Sequence, residues 1–179
     1  DGKAHQSALR YPELFERSLI TYSFGKTFHN TGWQMGYCIA PENLSAEFQK
    51  VHQFNVFSVN TPIQFALSEY MENPDVYLSL PNFYQQKRDF FLKTMAGSAL
   101  KPLECQGTYF QLFDYSAVSD LPDLAFAEWL TKEVGVASIP LSPFYSEGSN
   151  AKVLRFCFAK TEEVLEQAGK LLFGLGLRA

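Results

Sequence analysis

The tightest constraint on this chain is a single lysine placed where an apolar strand ends. Residues 19–24 read as a strand, crowded by Leu19, Ile20, Tyr22 and Phe24, with β-branched Ile20 and Thr21 favouring extension. Gly25 and Lys26 follow at once, and Gly32 and Gly36 bracket a Gly-x-x-x-Gly segment just beyond. Lysine seldom ends a buried strand, because a charged amine is costly there unless it has a task. In a mostly apolar pocket the neutral amine gains ground, and a neutral lysine can attack a carbonyl. The spacing alone leaves two readings open: a carbonyl-reactive lysine, or a lysine in an ordinary surface turn.

The rest of the chain supplies the frame. Residues 35–40 read as a second short strand ended by Pro41, and a helix follows with Leu44, Phe48, Val51 and His52 as its inward stripe. Thr61-Pro62 reads as a helix start, with the Thr61 hydroxyl as cap and proline in the first turn. Asn73-Pro74 opens another helical stretch, and Pro81 must kink or restart it. Residues 82–95 carry a long amphipathic pattern marked by Phe83, Phe90, Phe91 and Met95. After Gly97 the character changes: 100–104, 107–115, 136–140 and 153–159 read as strands, and 124–134 and 161–173 as helices. Thr161 can cap the last helix, and Glu162 and Glu163 suit the positive end of its dipole. The expected organisation is a first domain over 1–75, a connecting helix over 76–97 and a small α+β domain over 98–179.

Composition excludes several classes. The chain has 179 residues, is 46% hydrophobic and 19% charged, and carries a net charge of −4, so there is no basic stripe and no nucleic-acid partner is expected. No apolar run approaches the ~20 residues that a membrane-spanning helix needs. The first residues lack the apolar stretch of a signal peptide. Cys38, Cys105 and Cys157 lie far apart, which fits reduced thiols and a cytoplasmic setting. The three histidines make no metal-ligand spacing with one another or with the cysteines, so no metal is expected.

A second residue stands out on its own chemistry. Arg155 sits in the middle of Val153-Leu154-Arg155-Phe156-Cys157-Phe158, and alternation puts it on the face of Val153 and Cys157, opposite Leu154, Phe156 and Phe158. A cation in so apolar a strand needs an anionic partner, and its planar fork matches a carboxylate. That carboxylate belongs either to a ligand or to an Asp or Glu of the chain.

Four ordered blocks carry a family resemblance: the run from Tyr22 to Tyr37, Phe57-Ser58-Val59-Asn60-Thr61-Pro62-Ile63-Gln64, Gly107-Thr108-Tyr109-Phe110, and Arg155-Phe156-Cys157-Phe158-Ala159. The first resembles the Ser-x-x-Lys…Gly-x-(Arg/Lys)-x-Gly signature of class I aminotransferases that use pyridoxal 5′-phosphate (PLP), in the branch of the methionine and kynurenine aminotransferases. The resemblance covers nearly the whole chain. It implies an α/β fold: the second part of the large PLP-binding domain, with a mainly parallel sheet, followed by the small C-terminal α+β domain. By that comparison the chain is the C-terminal half of a longer enzyme.

The resemblance also assigns roles. Lys26 is the Schiff-base lysine and proton shuttle. Ser23 binds the cofactor phosphate. Gln34 occupies a phosphate-contact position where the family has Arg or Lys; its amide can donate hydrogen bonds but carries no charge. Arg155 binds the α-carboxylate of the amino acid and the 2-oxo acid. Tyr109 stands at the substrate mouth, where Gly107 would give the turn its freedom, and residues 142–146 form an entrance loop. Phe57 reaches into the partner subunit of a homodimer. The implied reaction is transamination from a large apolar or aromatic amino acid, methionine first, then phenylalanine, tyrosine or kynurenine. Two alternatives are β-elimination from a sulfur amino acid on the same fold and a non-catalytic scaffold that has lost PLP.

Overall fold

The computed structural model describes residues 1–147 and 151–177. The chain divides into two units, Gly2–Leu80 and Pro81–Ala179, with Asp1 grouped with the second.

In the first unit, a 3-10 turn over Ala8–Arg10 leads into α1 (Pro12–Phe15), which begins on proline. β1 (Ile20–Ser23) then pairs antiparallel with β2 (Gly36–Ile39), from Ile20 opposite Ile39 to Ser23 opposite Gly36. β1 is shorter and wetter than its sequence implies: Leu19 lies outside it and is exposed, and Phe24 has already turned into the single helical turn α2 (Phe24–Thr27). Tyr37 stacks near both Tyr22 and Phe24, with ring centroids 5.0 Å away in each case. Gly36 is fixed by close approach, since a Cβ there would lie 2.5 Å from the carbonyl oxygen of Tyr22.

Three helices complete this unit: α3 (Glu42–Asn55), α4 (Thr61–Tyr70) and α5 (Asp75–Leu78). The cap of α4 is Asn60, whose Oδ1 accepts from the Ile63 amide at 3.2 Å; Thr61 is already helical. The stripe expected to face inward from α3 is not buried, and Phe48, Val51 and Phe54 are all exposed. Helical spacing fixes which side chains share a face but not what covers that face. Of the large apolar side chains in this unit, only Met35 and Leu67 are fully buried.

The second unit opens with α6 (Leu80–Thr94), so Pro81 restarts a helix rather than kinking one. β3 (Lys101–Pro102), β4 (Phe110–Asp114), α7 (Asp123–Trp129), β5 (Ile139–Pro140), β6 (Val153–Cys157) and α8 (Glu162–Phe173) follow. α7 runs on into a wider turn over Leu130–Val134, closed by Gly135 at φ 82°. The strands form a four-stranded sheet in the order β3-β4-β6-β5. Every pairing in it is antiparallel. No parallel pairing occurs among the described residues, so the mainly parallel sheet expected of the large domain is not represented here.

Alternation sorts the faces of this sheet. Phe113 from β4 and Leu154 and Phe156 from β6 join Phe91, Met95, Leu100, Phe126, Leu130, Leu165 and Leu172 in one core. Gly169 lets α8 approach α6, because a Cβ there would meet Thr94 Oγ1 at 2.6 Å. On the opposite face of β4 and β6, Leu112 stands across from Arg155, and Phe110 across from Cys157. Thr161 caps α8 by accepting from the Val164 amide at 3.4 Å.

Candidate active site

The residues between β1 and β2 fold back on themselves. Ser23 leaves the strand and its Oγ accepts from the Gly25 amide at 3.1 Å, capping α2. Gly25 is buried, and a Cβ on it would stand 3.1 Å from Thr31 Cα and 3.3 Å from Ser23 Oγ. Its carbonyl accepts from the Asn30 amide at 3.0 Å and from Thr31 Oγ1 at 3.3 Å. Lys26 Nζ in turn donates to Thr31 Oγ1 at 3.4 Å. Two non-glycine residues adopt left-handed backbone to make this path, His29 at φ 54° and Gln34 at φ 53°. Gln34 Nε2 donates to the Thr31 carbonyl at 2.6 Å.

Ser23, Lys26 and Gln34 therefore share one short turn whose centre is Thr31, a residue that the sequence reading passed over. Lys26 is exposed here rather than held in an apolar pocket. Asn30 Oδ1 is a buried acceptor with no partner among the described residues. The Ser23 hydroxyl accepts one bond and keeps its hydrogen to donate, and the Gln34 amide keeps a second N–H. A primary amine flanked by neutral donors suits a group that joins an aldehyde to an anion.

In the second unit, Arg155 projects from the middle of β6 on the non-core face. Its guanidinium carbon lies over the Phe110 ring at 4.1 Å and over the Phe144 ring at 5.5 Å. Among the described residues no carboxylate pairs with it, and its Nε is buried without a hydrogen-bond partner. That disposes of the internal ion pair as an account of this arginine within the described residues.

Tyr109 lies just before β4 and does not meet Arg155 in any ring or hydrogen-bond contact; its ring packs 4.2 Å from Phe110 and 6.0 Å from Tyr84, against the core. Burial raises the Tyr84 phenol above its ordinary value, with Cys157 and Tyr109 adding to the effect. The turn before Tyr109 takes its left-handed residue at Thr108, φ 65°, not at Gly107. The segment expected to form an entrance loop contains a 3-10 turn over Ser142–Phe144, tied down where the Ser142 amide donates to Asp123 Oδ2 at 2.7 Å. Burial works to raise the Asp123 carboxyl, but the amides of Ser142, Leu124 and Leu141 outweigh it and hold its pKa below the usual range. Phe57 stands in the first unit between α3 and α4, 80% exposed and at φ 65°.

The sequence names Phe110 in a motif and Phe144 in the 142–146 loop, but ties neither to Arg155. Phe110 was visible only as part of a motif, and nothing local ties Phe144 to a strand that follows it.

The chain belongs to the aminotransferase class I and II family, whose model matches residues 4–171. Members of this family use PLP. A methionine aminotransferase from Escherichia coli is 52% identical over 171 residues, covering 95% of this chain and 44% of that protein. Kynurenine–oxoglutarate transaminase 1 from Homo sapiens is 34% identical over 188 residues, covering 93% and 44%. Among solved structures, an Escherichia coli protein described as having a methionine aminotransferase function superposes with a TM-score of 0.93 at 50% identity, covering 97% of this chain and 46% of that one. N-succinyldiaminopimelate aminotransferase from Mycobacterium tuberculosis gives 0.88 at 26% identity, covering 98% and 46%. The chain thus spans less than half the length of the relatives it matches.

Proposed function

We propose that this chain belongs to an enzyme that moves an amino group from a large apolar or aromatic amino acid, methionine first, to a 2-oxo acid, with PLP as cofactor. The observation that carries the reading is Arg155: a guanidinium in an apolar strand, with a buried unpartnered Nε and, among the described residues, no acid paired with it. Such a cation has donors left to spend on an anion, and a substrate carboxylate fits its fork. The 52% identity to a methionine aminotransferase supports the choice of donor.

PLP supplies an electron sink that makes the α-carbon of a bound amino acid acidic. The chain supplies the rest. Lys26 would hold the cofactor through Nζ, and the same atom would carry the α-proton. Thr31 Oγ1 holds that amine on the Gly25 side of the turn. Ser23 Oγ and the free N–H of Gln34 would donate to the phosphate. Because Gln34 is neutral, it holds phosphate less firmly than the arginine or lysine typical of the family, by about 1 kcal/mol. Arg155 fixes the carboxylate and with it the orientation of the α-carbon. Tyr109, whose ring packs against the core, is assigned to the substrate approach by the family resemblance alone. Phe57, exposed and at a costly backbone angle, is assigned to a partner subunit in a homodimer.

The test is amino transfer by the whole enzyme, followed as keto-acid formation from methionine. Keto acid formed by wild type and lost in Lys26→Ala supports the reading. Ammonia and pyruvate from cystathionine, with no keto acid from methionine, would assign β-elimination instead.

A further inference from the structure

Among the described residues, Arg155 is met by two aromatic rings and paired with no acid. Its guanidinium carbon lies 4.1 Å from the centre of the Phe110 ring and 5.5 Å from that of Phe144, both within the range over which a cation is attracted to a ring face. An acidic neighbour would also hold it, but it would occupy the N–H groups and neutralise the charge that a ligand must meet. A ring face takes neither. The buried, unpartnered Nε records that the donors on that side are unspent. The apolar rings also lower the local dielectric, which strengthens any carboxylate contact made there.

Both rings lie outside the core cluster of the second unit. Phe110 is on the face of β4 away from the core and is absent from the core cluster, although its neighbours in sequence, Tyr109 and Gln111, pack inward or are fully buried. Phe144 is 65% exposed, so it contributes little to the core. Its turn is nevertheless fixed, because the buried Asp123 takes the Ser142 amide at 2.7 Å.

We infer that Phe110 and Phe144 are positioning residues for Arg155: they hold the guanidinium by its π-faces so that its donors stay free for a monocarboxylate, and so set affinity for that group. The inference rests on the reading of Arg155 as the substrate-carboxylate residue.

The experiment uses the full-length holoenzyme and the variants Phe110→Leu, Phe110→Tyr, Phe144→Leu and Arg155→Gln. Three quantities are read: the Kd for hexanoate, a carboxylate with no amino group, by calorimetry; KM and kcat with the best amino donor; and Tm. Phe110→Leu is expected to raise Kd and KM together by about five- to twentyfold, with kcat within about twofold and Tm nearly unchanged. Phe110→Tyr, which keeps the ring, stays near wild type. Phe144→Leu gives a smaller rise of about two- to fivefold, as its longer distance requires. Its exposed position keeps this variant foldable if Phe110→Leu is not. Unchanged hexanoate affinity in both leucine variants overturns the inference, and so does a Phe110→Tyr enzyme as impaired as Phe110→Leu. Arg155→Gln separates the two levels. If it weakens hexanoate by about thirtyfold or more while the leucine variants do not, only the aromatic hold is wrong. If it changes nothing, the carboxylate role of Arg155 fails and the hold fails with it.

Discussion

Replacing Gly36 by alanine tests how the β1–β2 ladder carries the lysine turn. The added Cβ would lie 2.5 Å from the Tyr22 carbonyl oxygen, against the 3.4–4 Å of ordinary contact. The obstacle is backbone in a paired strand, so no side chain can swing away, and the strands must part by about 0.9 Å at that point. Gly36 does not need glycine for its dihedral angles, because it is not among the residues at positive φ. The whole effect is therefore steric, and overpacking of this kind costs about 1–3 kcal/mol. The damage falls at Tyr22 and at Ser23, which stands opposite Gly36 and is itself the cap that starts the Lys26 turn. Hydrogen exchange on the full-length enzyme should show faster exchange across 20–28 in Gly36→Ala, with PLP affinity reduced about five- to tenfold and exchange in the β4–β6 ladder unchanged. Wild-type exchange at Tyr22 to Gly25 together with wild-type PLP affinity would refute the argument that the close pairing of these two strands sets the turn.

Other substitutions probe separate links. Gln34→Lys should tighten PLP about fivefold by restoring a charged phosphate contact, read by equilibrium dialysis of the full-length protein; equal affinity in the two enzymes would show that the neutral amide suffices. Asp123→Asn should lower stability at pH 7 by about 1–2 kcal/mol, because two amide bonds at 2.7 and 2.8 Å lose their charged acceptor. The Asp123 pKa is lowered in the folded chain from a reference of 3.8, so its contribution is complete above that value and disappears as pH falls through the folded pKa. The Tm gap between wild type and Asp123→Asn should therefore be full at pH 7 and shrink in acid below about pH 4; a gap independent of pH would contradict it. Phe113→Ala removes a fully buried ring in edge contact with Phe91 and Phe156 and should cost about 3–5 kcal/mol, seen as a lower urea midpoint for the second unit.

The second unit was legible because its periodicities are clean. Leu154 and Phe156 face one way and Arg155 the other, so both the strand and its odd residue could be read from alternation. The strands came out shorter than their apolar runs, since pairing ends where the partner strand ends. Strand direction was not legible, because a period of two is the same in parallel and antiparallel ladders. The α4 cap moved from Thr61 to Asn60 because two adjacent polar residues competed for it and asparagine is the stronger cap. The left-handed turn residue at Thr108 was invisible, as a β-branched residue is the poorest guess for that backbone when a glycine stands beside it. Ser23, Lys26 and Gln34 are close in sequence, so their shared turn could be anticipated. Contacts from Arg155 to Phe110 and Phe144 join separate segments, and no local pattern encodes them.

The central claim is that Lys26 is the residue that joins PLP, and one measurement addresses it directly. The full-length protein is incubated with PLP and reduced with borohydride, and its peptides are mapped by mass spectrometry. The account predicts a single pyridoxyl group on the peptide containing Lys26, absent from Lys26→Ala. A folded full-length protein with no adduct, or with the adduct on another lysine, would contradict it.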